Sequence, residues 1–63
     1  MPADDAIAEV FDALCQKAAG MADGEPMNCT CRMYNNTPIQ SMTIVHNGVT
    51  MRIKIMVYEE RKA

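Results

Sequence analysis

The sequence predicts an α+β fold in one domain: an N-terminal amphipathic helix packed on a three-stranded antiparallel β-meander, in the order αβββ. Three observations predict it. Apolar residues recur with a helical period up to about residue 21. After Pro26 the period falls to two. An Asn47-Gly48 pair then separates two alternating segments whose polar and apolar positions match across it.

The helix is expected over about residues 4–21. Ile7, Val10, Phe11, Leu14, Ala18 and Met21 follow the i, i+3, i+4, i+7 spacing that gathers apolar groups into one stripe. Asp5, Glu9, Asp12 and Gln16 fall largely on the other side. A carboxylate of Asp4 or Asp5 suits the helix start, where backbone N–H groups lack partners and the dipole is positive. Gly20 offers a left-handed stop, with extension by a turn through Met21-Ala22 as the alternative, and Asp23-Gly24-Glu25-Pro26 breaks the helix.

Strands follow at about 27–34, 39–46 and 49–58, with a charged tail at 59–63. In the first, Met27, Cys29, Cys31 and Met33 alternate with Asn28, Thr30, Arg32 and Tyr34, so the first set is expected inward. Tyr34-Asn35-Asn36-Thr37-Pro38 reads as the first turn or loop. The last two strands test each other. Asn-Gly favours a two-residue type I′ turn, because both central residues need φ > 0. That turn sets His46 opposite Val49, Ile44 opposite Met51, Met42 opposite Ile53 and Gln40 opposite Ile55, an almost wholly apolar face. The other face pairs Val45 with Thr50, Thr43 with Arg52 and Ser41 with Lys54. A slip of one residue would mix the two sets. Turn and pattern agree.

A chain of 63 residues buries only about 60% of the surface its unfolded form exposes. Disulfides, a metal or a second subunit are the usual remedies. Three cysteines are an odd set, and in a reducing compartment they stay thiols. The N-terminus is acidic, with no basic region ahead of an apolar one, and no apolar run approaches a membrane span of about 20 residues. A soluble cytoplasmic protein that forms a homodimer and has no membrane partner is the resulting expectation.

The net charge of −2 conceals an asymmetry. Residues 1–25 hold six acids (Asp4, Asp5, Glu9, Asp12, Asp23, Glu25) against Lys17, giving −5. Residues 26–63 hold Arg32, Arg52, Lys54, Arg61 and Lys62 against Glu59 and Glu60, giving +3 and returning −2 in total. Such a division bears on partners.

Three constellations are candidates for function. Cys29-x-Cys31 places two sulfurs on one face of a strand. A structural zinc site wants four ligands, which only Cys15 and His46 are left to supply. The simpler reading is core packing, with a metal or thiol redox module as the alternative. His46 flanks a turn with no acid placed beside it, so nucleophilic catalysis is not expected. Asp4, Asp5, Glu9 and Asp12 form an acidic helix face suited to a basic protein partner. Thr30, Arg32, Tyr34, Thr43, Arg52, Lys54 and Tyr58 share the outer sheet face. There Met56, with Ile39, interrupts the polarity.

No enzyme, resident metal or cofactor is expected. The leading expectation is a protein-interaction module whose target the sequence does not name. By size and charge it suits an inhibitor of a nucleic-acid-handling complex, in the manner of phage-encoded anti-CRISPR proteins, acting by surface blocking or charge mimicry. The alternative is a small nucleic-acid-binding protein that uses the basic sheet face. The third strand, free of proline, invites pairing if it lies at an edge.

Overall fold

The computed structural model describes residues 2–60, Pro2 by its backbone alone. Helix α1 spans Pro2–Gly20, followed by β1 (Met27–Tyr34), β2 (Thr37–His46) and β3 (Val49–Met56). The strands form one antiparallel sheet in the order β1-β2-β3, which leaves β1 and β3 as edges. The helix is the only one among the described residues, and it is not long and apolar enough to cross a membrane.

The hairpin fixes the register. Asn47 and Gly48 adopt φ of 51° and 78°, as a type I′ turn requires. All seven β2–β3 pairs expected from the sequence are present, and Ile39 opposite Met56 extends them. The Met42 side is apolar and meets the helix. Met42, Ile44 and Ile55 are buried, with Phe11, Cys15, Ala18, Ala19, Ala22, Met51 and Ile53 packed around them. Among the described residues no side chain is fully buried, so this core is small.

The helix corrects three expectations. It begins at Pro2, so Asp4 and Asp5 lie in its first turn and oppose the dipole there without capping it. Gly20 does not have a positive φ; that conformation falls to Gly24, at 92°. The helix instead ends by tightening, with Met21 N donating to both Lys17 O and Ala18 O at 3.2 Å. The third correction concerns the buried stripe. Phe11, the small side chains of Cys15, Ala18 and Ala19, and Ala22 just past the helix pack against Met42, Ile44 and Ile55, while Val10, Leu14 and Met21 stand 48%, 46% and 44% exposed. Small residues let the helix approach the sheet closely. Its backbone approaches the sheet mainly at β3.

Strand β1 corrects a fourth. The pairing shifts between Met27 and Thr30, where Asn28 takes φ 51°, a bulge that adds a residue and bends the strand. Met27 therefore pairs with Thr43, on the face away from the helix, rather than pointing inward. Cys31 and Met33 pair with Gln40 and Pro38 on the helix side, yet every residue of β1 is exposed. Neither cysteine of β1 is in the core.

The turn or loop expected at residues 34–38 is a second tight turn, shorter than that segment. Asn35 and Asn36, at φ 49° and 63°, form it, and β2 begins at Thr37. Pro38 is tolerated inside β2 because pairing with β3 ends at Ile39–Met56, leaving Pro38 flanked by β1 alone. Strand β3 likewise ends at Met56 and not near Tyr58. Of the charged tail, residues 61–63 lie outside the described residues.

Three hydrogen bonds join the post-helix segment to the hairpin. Asp23 N donates to Val45 O at 2.6 Å, and Asp23 Oδ2 accepts from Asn47 N at 3.0 Å. His46 Nδ1 lies 2.8 Å from Met21 O. A carbonyl only accepts, so Nδ1 carries the proton. These bonds are possible because β1 pairing stops at Thr43, which leaves the Val45 carbonyl open. His46 is thus a structural latch.

Candidate functional site

The outer sheet face gathers the cations. Arg32 pairs with Ile39, Lys54 with Ser41 and Arg52 with Thr43, so all three project from the face opposite the helix. With Thr30, Ile39 and Ser41 they line a shallow groove of about 420 Å³ that has no acidic residue in its wall. Ser41, 8% exposed, forms its floor. Tyr34 pairs with Thr37 on the same face, and its ring is exposed. Met56 and Ile39 face each other beside it. The sequence placed these residues correctly, Tyr58 excepted.

Arg52 has a second task. Its Nη1 donates to Asn28 O at 2.7 Å and to Thr43 Oγ1 at 3.0 Å, crossing β2 to hold the carbonyl of the β1 bulge. A guanidinium has five N–H donors, so others remain for a ligand. Nothing in the sequence announced this bond, because the bulge that creates it interrupts an unbroken alternation. A groove of this composition is chemically suited to an anion. Cations supply the attraction, and hydroxyl groups on an ordered sheet supply orientation.

Tyr58 lies elsewhere. It lines a cleft of about 400 Å³ beneath the N-terminal half of the helix, with Asp4, Ile7, Phe11, Asp12 and the turn at Asn36–Pro38. Asp5 and Glu9 are exposed on the helix, and Asp12 is exposed at the cleft's rim. Asp5, Glu9 and Asp12 follow at i, i+4 and i+7, which strings three carboxylates along about 10 Å of helix axis. One strand of DNA carries a phosphate for each 3.4 Å or so of its axis, a charge density of the same order. The acidic row and the basic groove therefore belong to opposite layers of the molecule.

The cysteines do not converge on a metal. Cys15 is half-buried on the helix, while Cys29 and Cys31 are exposed thiols on β1. Among the described residues, no group of three His, Cys, Asp or Glu side chains is arranged to hold an ion. Burial raises the Cys15 thiol above the ordinary 9.0, and the nearby charges of Asp12 and Cys31 push it the same way. Its thiolate is disfavoured in the folded state. With iodoacetamide at mildly alkaline pH, Cys15 is expected to be alkylated last, as peptide mass mapping over time would report. The folded state keeps this proton longer, so the contribution falls as pH rises through 9.0.

No family model, curated protein or solved structure matches the chain.

Proposed function

We propose that this chain is a cytoplasmic, non-enzymatic interaction module that works as a homodimer and covers a basic surface of a larger nucleic-acid-handling complex. In size and charge this is the manner of a phage-encoded anti-CRISPR inhibitor. One observation carries the reading: the exposed row of Asp5, Glu9 and Asp12 on the helix, in the layer opposite the cations. A rigid helix bearing carboxylates at a strand-like charge density occupies a site built for phosphates, and electrostatic complementarity steers it there.

The groove of Arg32, Arg52 and Lys54 favours a second reading, single-stranded nucleic acid bound on the outer sheet face with Tyr34 as a stacking platform. One comparison separates the two. The triple variant Asp5→Lys, Glu9→Lys, Asp12→Lys is expected to weaken capture of a nucleic-acid-handling complex from host lysate by at least about tenfold. Competing DNA is expected to release the complex from the parent protein. The double variant Arg32→Glu, Lys54→Glu leaves that capture intact; Arg52 is spared because it holds the bulge. Capture insensitive to the triple variant and to DNA would sink the first reading. A parent protein that binds an oligonucleotide with a steep salt slope, lost in the double variant, would establish the second.

A further inference from the structure

The helix leaves an apolar flank that the fold does not use. Val10, Leu14, Lys17 and Met21 follow one another at steps of four, three and four residues, the spacing of a helix–helix seam. Val10, Leu14 and Met21 are each close to half exposed. The opposite flank, at Ala8 and Asp12, lines the cleft against Asn36, Thr37 and Pro38, so this row faces away from that turn. Its neighbours Ala6, Ala13 and Gly20 are exposed, and they let a second helix come close.

We infer that this row is the seam of an isologous dimer, in which it packs antiparallel against the same row of a second copy. This rests on the homodimer in the function proposed above and names its surface.

Three observations favour a second copy as the occupant. The chain exposes 5143 Å², whereas a folded monomer of its mass exposes about 4,000 Å². The excess is comparable to the roughly 800 Å² that each partner contributes to a standard interface. The protomer is also elongated, with a radius of gyration of 13.2 Å against about 10.6 Å for a compact chain of this length. Finally, the row contains no acid and is its own complement about a two-fold axis. Charge sets the direction. Asp4, Asp5 and Glu9 lie in the N-terminal half of the helix and Asp12 just past its middle, so a parallel pair would place two acidic rows side by side. An antiparallel pair separates them, brings each toward the half that carries Lys17, and opposes the helix dipoles.

Sedimentation equilibrium over a concentration series tests this without any target, so its failure leaves the acidic-row reading standing. The parent protein is expected to approach twice its chain mass of 7.0 kDa. Leu14→Asp is expected to raise the dimer dissociation constant roughly a hundredfold or more, since it removes a buried leucine from each copy. Lys17→Leu completes the apolar row and is expected to tighten the dimer at least about tenfold, a gain that a misfolded variant cannot imitate. A parent protein that stays at 7.0 kDa at the highest concentration would overturn the proposal. So would a dimer indifferent to both variants, which would place the contact on the β3 edge or the outer sheet face.

Discussion

Ile44→Ala is expected to leave the chain largely unfolded in buffer. Ile44 is 3% exposed, the most enclosed apolar side chain, and Met42 and Ile55 are the only other buried ones among the described residues. Truncating an enclosed isoleucine costs about 2–5 kcal/mol, the transfer term plus the cavity that remains. A single core in a domain of this size rarely supplies more than about 3–5 kcal/mol. The loss therefore approaches the whole stability. With a urea slope near 1 kcal/mol/M for a small domain, the midpoint should fall by at least about 2 M or vanish. Urea titration followed by far-UV circular dichroism, at one fixed protein concentration, reads the change. Met51→Ala, at a half-buried position in the same layer, is expected to cost clearly less. Equal losses at both sites would mean that the core is not centred on β2.

That centre was legible because two independent signals agreed on it. Asn47-Gly48 demands a particular backbone, and alternation demands a particular set of faces; only one register satisfies both. The first strand carried a single signal. Met27, Cys29, Cys31 and Met33 alternate without a break, and the bulge at Asn28 is invisible to that pattern, since asparagine is an ordinary polar residue on a solvated strand face. The turn at Asn35-Asn36 did leave a trace, because asparagine tolerates positive φ. Pro38 masked it by arguing against a strand, and its tolerance depends on where β3 stops pairing.

The helix shows what period alone leaves open. Its apolar residues cover a wider arc than the sheet can contact, so spacing defines a band without saying which part is buried. Packing selected Phe11 with Cys15, Ala18, Ala19 and Ala22, whose small side chains permit a close crossing. The larger Val10 and Leu14 fell outside it. The same limit applies to the basic groove. Arg32, Arg52 and Lys54 were assignable to one face from parity, whereas the bond from Arg52 to Asn28 O depends on the bulge. Tyr58 was misplaced because nothing in Val57-Tyr58 marks where pairing ends.

Gly48→Val is expected to destabilise the fold by about 2–3 kcal/mol, and for a reason confined to the backbone. Gly48 sits at φ 78°, and a Cβ built there meets nothing within 4 Å. No contact is lost and no clash is made. The cost is that of holding a β-branched residue in the left-handed region, about 1–3 kcal/mol for most residues and greatest for this class. Gly48→Asn then serves as the control, because asparagine visits that region several times more often than other residues. It is expected to recover most of the loss, as thermal or urea unfolding would show. If asparagine and valine cost the same, the turn does not require positive φ, and the account of the register fails with it. The consequence reaches the charged groove. The turn sets Thr43 against Arg52 and Ser41 against Lys54, so it holds both cations on the outer face. A hairpin slipped by one residue would turn them toward the helix, where Met42 and Ile44 leave no water to solvate a charge. The hairpin thus specifies the register and, through it, the side of the molecule on which positive charge is presented.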